Sequence, residues 1–240
     1  MIVVSGLAPG PLFEPADAPG NQYIDICAPS RDVYRTGWDN NTALSSGTSL
    51  AAPIVSGVVS QILSINSCLS SAEVENIIKI TGKPIPDADE PGETFYGKVG
   101  AGRIDVLDAL KFAAGQYDPI TSSVTWDKPL MLNGNLVINS EGTLTLTSTL
   151  RVNGNYKITV NPGGKLIVDG GKITKACQNS WGGIEVWGYT NPSQSPATNQ
   201  GVVELKNGAS IEYAVNAVSV QNGGIVQASN PPFLNNRRSI

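Results

Sequence analysis

The chain has 240 residues, enough for one large domain or two modest ones. Its hydrophobic content of 40% supports a real core, while 15% charged residues is low for a cytosolic globular protein. A net charge of −4 excludes the basic face that a nucleic-acid partner requires. The 26 glycines and 16 prolines imply many turns and a β-rich chain.

Met1 to Gly6 reads as a buried strand, too short and too poor in basic residues for a signal peptide. No apolar run approaches the ~20 residues of a membrane span. The first helix follows Gly47, with Val55, Val58, Val59, Ile62 and Leu63 on one apolar stripe and Thr48 or Ser49 as its cap. Pro53 falls near the end of its first turn. The second helix opens on a capping box, Ser70-Ser71-Ala72-Glu73, buries Val74, Ile77 and Ile78, and stops at Gly82. Lys83 to Lys98, rich in proline and acids, reads as a surface loop too polar to pack. The third helix runs from about Asp105, its cap, to Ala114, stops at Gly115, and has a stripe of Val106, Ala109, Leu110 and Ala113.

Helical periodicity ends there. The boundary falls between Gln116 and Ser123, giving domains of residues 1–116 and 117–240. The second half repeats one unit, a turn glycine followed by alternating apolar residues: Gly134-Asn-Leu-Val-Ile, Gly142-Thr-Leu-Thr-Leu, Gly164-Lys-Leu-Ile-Val and Gly224-Ile-Val. Gly142 and Gly164 are 22 residues apart, and Gly164 and Gly208 are 44 apart. That period predicts a stacked parallel β-helix or solenoid over an immunoglobulin-like sandwich. The three cysteines, Cys27, Cys68 and Cys177, leave two readings open: one disulfide, between Cys27 and Cys68, with a spare thiol, or three reduced cysteines.

The chemistry concentrates at Gly47-Thr48-Ser49-Leu50-Ala51-Ala52-Pro53-Ile54-Val55-Ser56-Gly57. A serine at a helix start has free N–H groups and the helix dipole beside its hydroxyl, both suited to a developing oxyanion. This stretch resembles the nucleophile segment of the subtilisin-like serine proteases (subtilases, peptidase family S8). Tyr23-Ile24-Asp25-Ile26-Cys27-Ala28-Pro29-Ser30 is similar to the strand and turn that precede it in the family. Tyr96 to Val106, with Ala109 and Leu110, is similar to the end of the catalytic domain. The resemblance covers about residues 1 to 114. It implies an α/β fold with a parallel sheet, and Ser49 as both catalytic nucleophile and backbone oxyanion donor.

The family triad runs in the order Asp, His, Ser, yet the chain contains no histidine. The expectation is therefore the C-terminal part of a catalytic domain, lacking its Asp and His and inactive alone, with a second half truncated at its C-terminus. Asp25, Asp32 and Asp39 match no catalytic motif and read as loop or cap carboxylates. Asn40 and Asn41 read as turn residues rather than an oxyanion asparagine.

Trp181, Trp187 and Tyr189 suit rung packing better than a sugar platform. Asp87, Asp89, Glu90 and Glu93 lack an EF-hand spacing, and Asp169-Gly170-Gly171 reads as a turn. No cofactor or metal site is identified, although the resemblance allows calcium. The resemblance implies a secreted endopeptidase acting on proteins or peptides, without a nucleic-acid partner or membrane span. The second half would add carbohydrate or cell-surface contact. The alternative is a non-enzymatic extracellular adhesion module fused to a protease remnant.

Overall fold

The computed structural model describes residues 1–8, 22–85, 97–177, 179–190, 199–229 and 232–240. The chain divides into two compact units: Met1–Ser67 with Val74–Leu110, and Cys68–Glu73 with Lys111–Ile240.

In the first unit, β1 (Val4–Leu7) and β2 (Ile26–Pro29) pair in parallel, Val4 opposite Ile26 and Leu7 opposite Pro29. Residues 101–104 line the other edge of β2, with Cys27 N–H donating to the Gly102 carbonyl at 2.8 Å and Ile104 N–H to that of Cys27 at 2.9 Å. The hairpin of β3 (Val33–Thr36) and β4 (Thr42–Ser45) follows, closed over a 3-10 turn at Trp38–Asn40. Helix α1 (Thr48–Ile65) packs its Ala51, Val55, Val58 and Ile62 face on β1 and β2. By length and composition alone α1 is long and apolar enough to cross a membrane, a test that a helix packed on a core also passes. The predicted stripe holds at Val55, Val58 and Ile62, but Leu63 is 37% exposed.

Helix α2 (Ser71–Ile80) opens on the predicted capping box: the Ser70 N–H and hydroxyl both donate to Glu73 Oε2 at 2.7 Å, and Glu73 N–H returns to Ser70 Oγ at 3.3 Å. Gly82 follows α2, and a side chain there would press on the Ala101 carbonyl at 2.5 Å. Helix α3 (Val106–Ala113) is capped as expected by Asp105, whose Oδ1 accepts the Asp108 N–H at 3.0 Å. Its buried residues are Ala109 and Ala113, whereas Val106 is exposed.

Two expectations change. Ile85, read as part of a polar loop, is 1% exposed and packs with Leu7, Ile24, Cys27 and Val99 in the core. Cys27 remains a buried free thiol, and the disulfide joins Cys68 to Cys177. Burial explains the first part: Cys27 faces that apolar cluster, which pushes its thiol up to about 12. Asp87, Asp89, Glu90, Glu93 and Tyr96 lie outside the described residues.

The second unit is built from short strands in three sheets, and every strand pair in them is parallel. One sheet stacks β5 (Ser123–Trp126), β8 (Thr143–Leu146), β11 (Lys165–Asp169), β14 (Val202–Lys206) and β17 (Ile225–Ala228). A second stacks β6 (Leu130–Leu132), β9 (Thr149–Val152), β12 (Lys172–Lys175), β15 (Ser210–Glu212) and β18 (Phe233–Leu234). The third stacks β7 (Leu136–Ile138), β10 (Lys157–Val160), β13 (Trp181–Trp187) and β16 (Ala214–Gln221).

The register follows from the alternating pattern. Leu144, Leu166 and Val203 stand in one inward column and Leu146, Val168 and Leu205 in another, each at most 1% exposed. Each such side chain contributes roughly 1.5–3 kcal/mol by burial. At the corners Asn153 donates to Asn133 and Asn161 to Asn139, both at 2.8 Å. The rung equivalent to Gly164 begins at Gly201, since Val202 N–H bonds the Gly164 carbonyl and Ile225 N–H that of Gly201. Gly208, which the 44-residue spacing suggested, is instead a corner before Ser210, which bonds Gly171. The longer interval between Gly164 and Gly201 disguised the period. Trp181 is fully buried and donates its indole N–H to the Glu212 carbonyl at 2.8 Å.

Replacing Ile85 by Ala should cost about 2–5 kcal/mol in thermal or denaturant unfolding, because it empties the first unit's core. An unchanged midpoint would show that Ile85 is not core. Burial pushes the Asp25 carboxyl up, but Lys79 at 2.6 Å and the Val3 N–H at 2.8 Å hold it below its ordinary 3.8. Its contribution is therefore present above pH 3.8 and lost as pH falls through the lower folded value. Asp25→Asn should flatten the acid limb of the stability profile below that pH.

Candidate active site

The site is built upward from the end of β2. Ser30, 2% exposed, donates its N–H to the Leu7 carbonyl at 2.9 Å, which ties it to β1. Its own carbonyl accepts the Gly47 N–H at 2.6 Å. Gly6 of β1 makes room for this, since any side chain there would collide with Ser30 Oγ.

Gly47 sits at φ 150° and ψ 147°, a region open essentially only to glycine. From there the chain turns into α1, and the Gly47 carbonyl accepts the Leu50 N–H at 2.9 Å. The start of the helix is thus set by backbone. The predicted side-chain cap from Thr48 or Ser49 does not form. The difference matters, because a capping serine would have its hydroxyl occupied.

Ser49 lies in the first turn and is exposed. Its hydroxyl packs near Gly47, where an added Cβ would stand 3.3 Å from Oγ. Ala51 is buried, while Ala52 and Pro53 are exposed and small. Pro53 lies in the second helical turn, deeper than the sequence suggested. Without an N–H it cannot close the i to i−4 bond to the Ser49 carbonyl. The first turn carries no acidic side chain to oppose an oxyanion.

The chain has no histidine. Among the described residues, each shifted group moves away from neutrality. The Cys27 thiol rises to about 12 by burial. At Lys79 burial lowers the ammonium's pKa, but Asp25 and Glu75 override it and raise it; at Lys83 the bond to Asp108 raises it. A lysine base needs the opposite shift.

The other singled-out residues are placed elsewhere. Asp25 holds Lys79 and the Val3 N–H. The Asp32 N–H donates to Ser46 Oγ at 3.1 Å, so this residue braces the hairpin's far end. Asn40 belongs to the 3-10 turn and Asn41 ends it. Asp169 accepts from Asn207 at 2.6 Å across a corner. No group of three potential metal ligands forms among the described residues. The sequence reading assigned Ser30 and Gly6 no part in the site. The signal they offered was a serine directly after Pro29 and a glycine inside an apolar strand, each common in other settings.

No family model matches the chain. It is 36% identical over 91 residues to subtilisin-like protease 1 of Plasmodium berghei, covering 38% of this chain and 14% of that protein. It is 28% identical over 128 residues to endoprotease aex-5 of Caenorhabditis elegans, covering 51% of this chain and 24% of that protein. Bacillopeptidase F of Bacillus subtilis is 35% identical over 78 residues, 32% of this chain and 5% of that protein. The chain is therefore related to the subtilisin-like serine proteases. It spans no more than about a quarter of the length of these relatives.

Gly47→Ala should destabilise the chain by about 1–3 kcal/mol, because alanine pays the strain of that backbone conformation. Gly57, exposed in the middle of α1 with open space around it, gives the contrast. Gly57→Ala should stabilise by about 0.5–1 kcal/mol through helix propensity. Equal effects of the two substitutions on the unfolding midpoint would contradict the backbone-capped start of α1.

Proposed function

We propose that Ser49 is the nucleophile of a secreted subtilisin-type serine endopeptidase that acts on proteins or peptides. The observation that carries the reading is an exposed serine in the first turn of a helix whose start is capped by backbone alone, in a chain related to subtilisin-like proteases. In this reading residues 1–116 are the C-terminal part of the catalytic domain. Residues 117–240 form a right-handed β-solenoid that accompanies it. The parallel register of the three sheets and the 22-residue step from Thr143 to Lys165 support the solenoid.

Ser49 Oγ attacks the scissile carbonyl, and its proton passes to an imidazole that these 240 residues do not supply. The tetrahedral oxyanion takes the Ser49 N–H and the positive end of α1. Collapse expels the amine and leaves an acyl-enzyme, which water hydrolyses. The 240 residues alone are inactive in this reading. The absence of histidine also favours a second reading, a non-enzymatic extracellular adhesion module joined to a protease remnant.

The test compares two forms of the protein. The 240-residue chain should hydrolyse no casein. A chain extended upstream to include an Asp-bearing and a His-bearing segment should hydrolyse it, and Ser49→Ala should remove at least about a thousandfold of kcat. An extended chain whose activity survives Ser49→Ala would refute the assignment. An extended chain with no activity would favour the adhesion reading.

A further inference from the structure

The segment Cys68–Glu73 belongs to the second unit, although the sequence reading put it in the first domain. It is held there at two points. Cys68 is bonded to Cys177, which lies just after β12. Glu73, 2% exposed, receives a two-pronged fork from Arg151 of β9: Nε donates to Oε1 at 2.7 Å and Nη2 to Oε2. The same guanidinium donates to the Cys68 carbonyl at 2.9 Å. Arg151 stands opposite Thr174 in the parallel pair of β9 and β12, so one anchor lies on β9 and the other at the corner just after the neighbouring strand β12.

The Glu73 carboxylate does two jobs. It closes the capping box with Ser70 and it takes the arginine fork. A carboxylate this buried is tolerated only when it is paired and fully hydrogen-bonded, and losing one partner of such a pair is strongly destabilising. A covalent link and a buried ion pair five residues apart are more than a linker needs.

We propose that β9 and the corner after β12 form a receptor for the start of α2, fastened by two independent links, either of which keeps the segment seated. Reduction alone therefore does not release it. Cys177 is exposed, so a reductant reaches the disulfide. A water-soluble phosphine supplies two electrons, two protons from water complete the thiols, and the phosphine leaves as its oxide. With both links gone, the start of α2 detaches while the rest of the stack stays formed. This holds whether or not Ser49 is a nucleophile.

The experiment is hydrogen exchange on the full 240-residue chain at fixed pH. Wild type and the double variant Glu73→Gln/Arg151→Met are each purified oxidised and then measured before and after phosphine treatment. Glutamine keeps the capping box and methionine keeps an apolar stem in place of the fork. Either cut alone should speed exchange of residues 69–76 by less than about threefold, and both together by at least about tenfold, with β14 unchanged. Because reduction follows folding, no variant has to fold without both links. A tenfold rise from reduction of wild type, no rise from the combined cut, or a rise shared equally by β14 overturns the proposal.

Discussion

The hydrogen bond from the Gly47 N–H to the Ser30 carbonyl, 2.6 Å long, is the constraint on which the candidate site depends. It ties the end of the hairpin to the end of β2, and Ser30 is tied in turn to β1 through Leu7. Helix α1 has no side-chain cap, so this backbone anchor and the turn at Gly47 decide where it begins. The consequence is chemical as well as structural. A serine that caps a helix gives its oxygen to a backbone N–H, whereas a backbone-capped helix leaves a first-turn hydroxyl available to a base.

The second unit rests on a different constraint. Its described strands are two to eight residues long, and a parallel pair of that length holds little by itself. Stacking turns the alternating Leu, Ile and Val residues into continuous inward columns, so each rung is stabilised by its neighbours. Outward pairs such as Lys157 with Glu185 at 2.6 Å and Lys165 with Glu204 at 2.7 Å run between adjacent rungs. They are partly exposed and worth about 0.2–1 kcal/mol each. The buried columns, not these ion pairs, carry the stability. Arg151 and Glu73 are the exception, because there the Glu73 carboxylate is out of water and must be matched.

Local signals were legible in the sequence, and contacts distant in the chain were not. The capping box at Ser70–Glu73 and the Asp105 cap both formed as the residues suggested, whereas the strand expected over Met1–Gly6 begins only at Val4, where its pairing with β2 starts. Each cap depends on neighbours a few positions apart. The Cys68–Cys177 link spans 109 residues and the Arg151–Glu73 fork 78, and no local pattern encodes either. Ile85 is hidden in a stretch rich in proline and acids, while its core partners lie at Leu7, Ile24 and Val99. At the candidate site, Ser49 stands out from its immediate flank alone. The Ser30 and Gly6 supports were missed because a close approach of two backbones leaves only a small residue as its trace.

In the proposed reading this backbone frame presents Ser49 as a nucleophile whose base lies outside the 240 residues. Fluorophosphonate labelling followed by tandem mass spectrometry tests it most directly, because the adduct reports the reacting atom. The 240-residue chain should take no adduct, and a chain extended to include a His-bearing segment should take a single adduct on Ser49. A stoichiometric adduct on the short chain, or an adduct of the extended chain on any other serine, would contradict it.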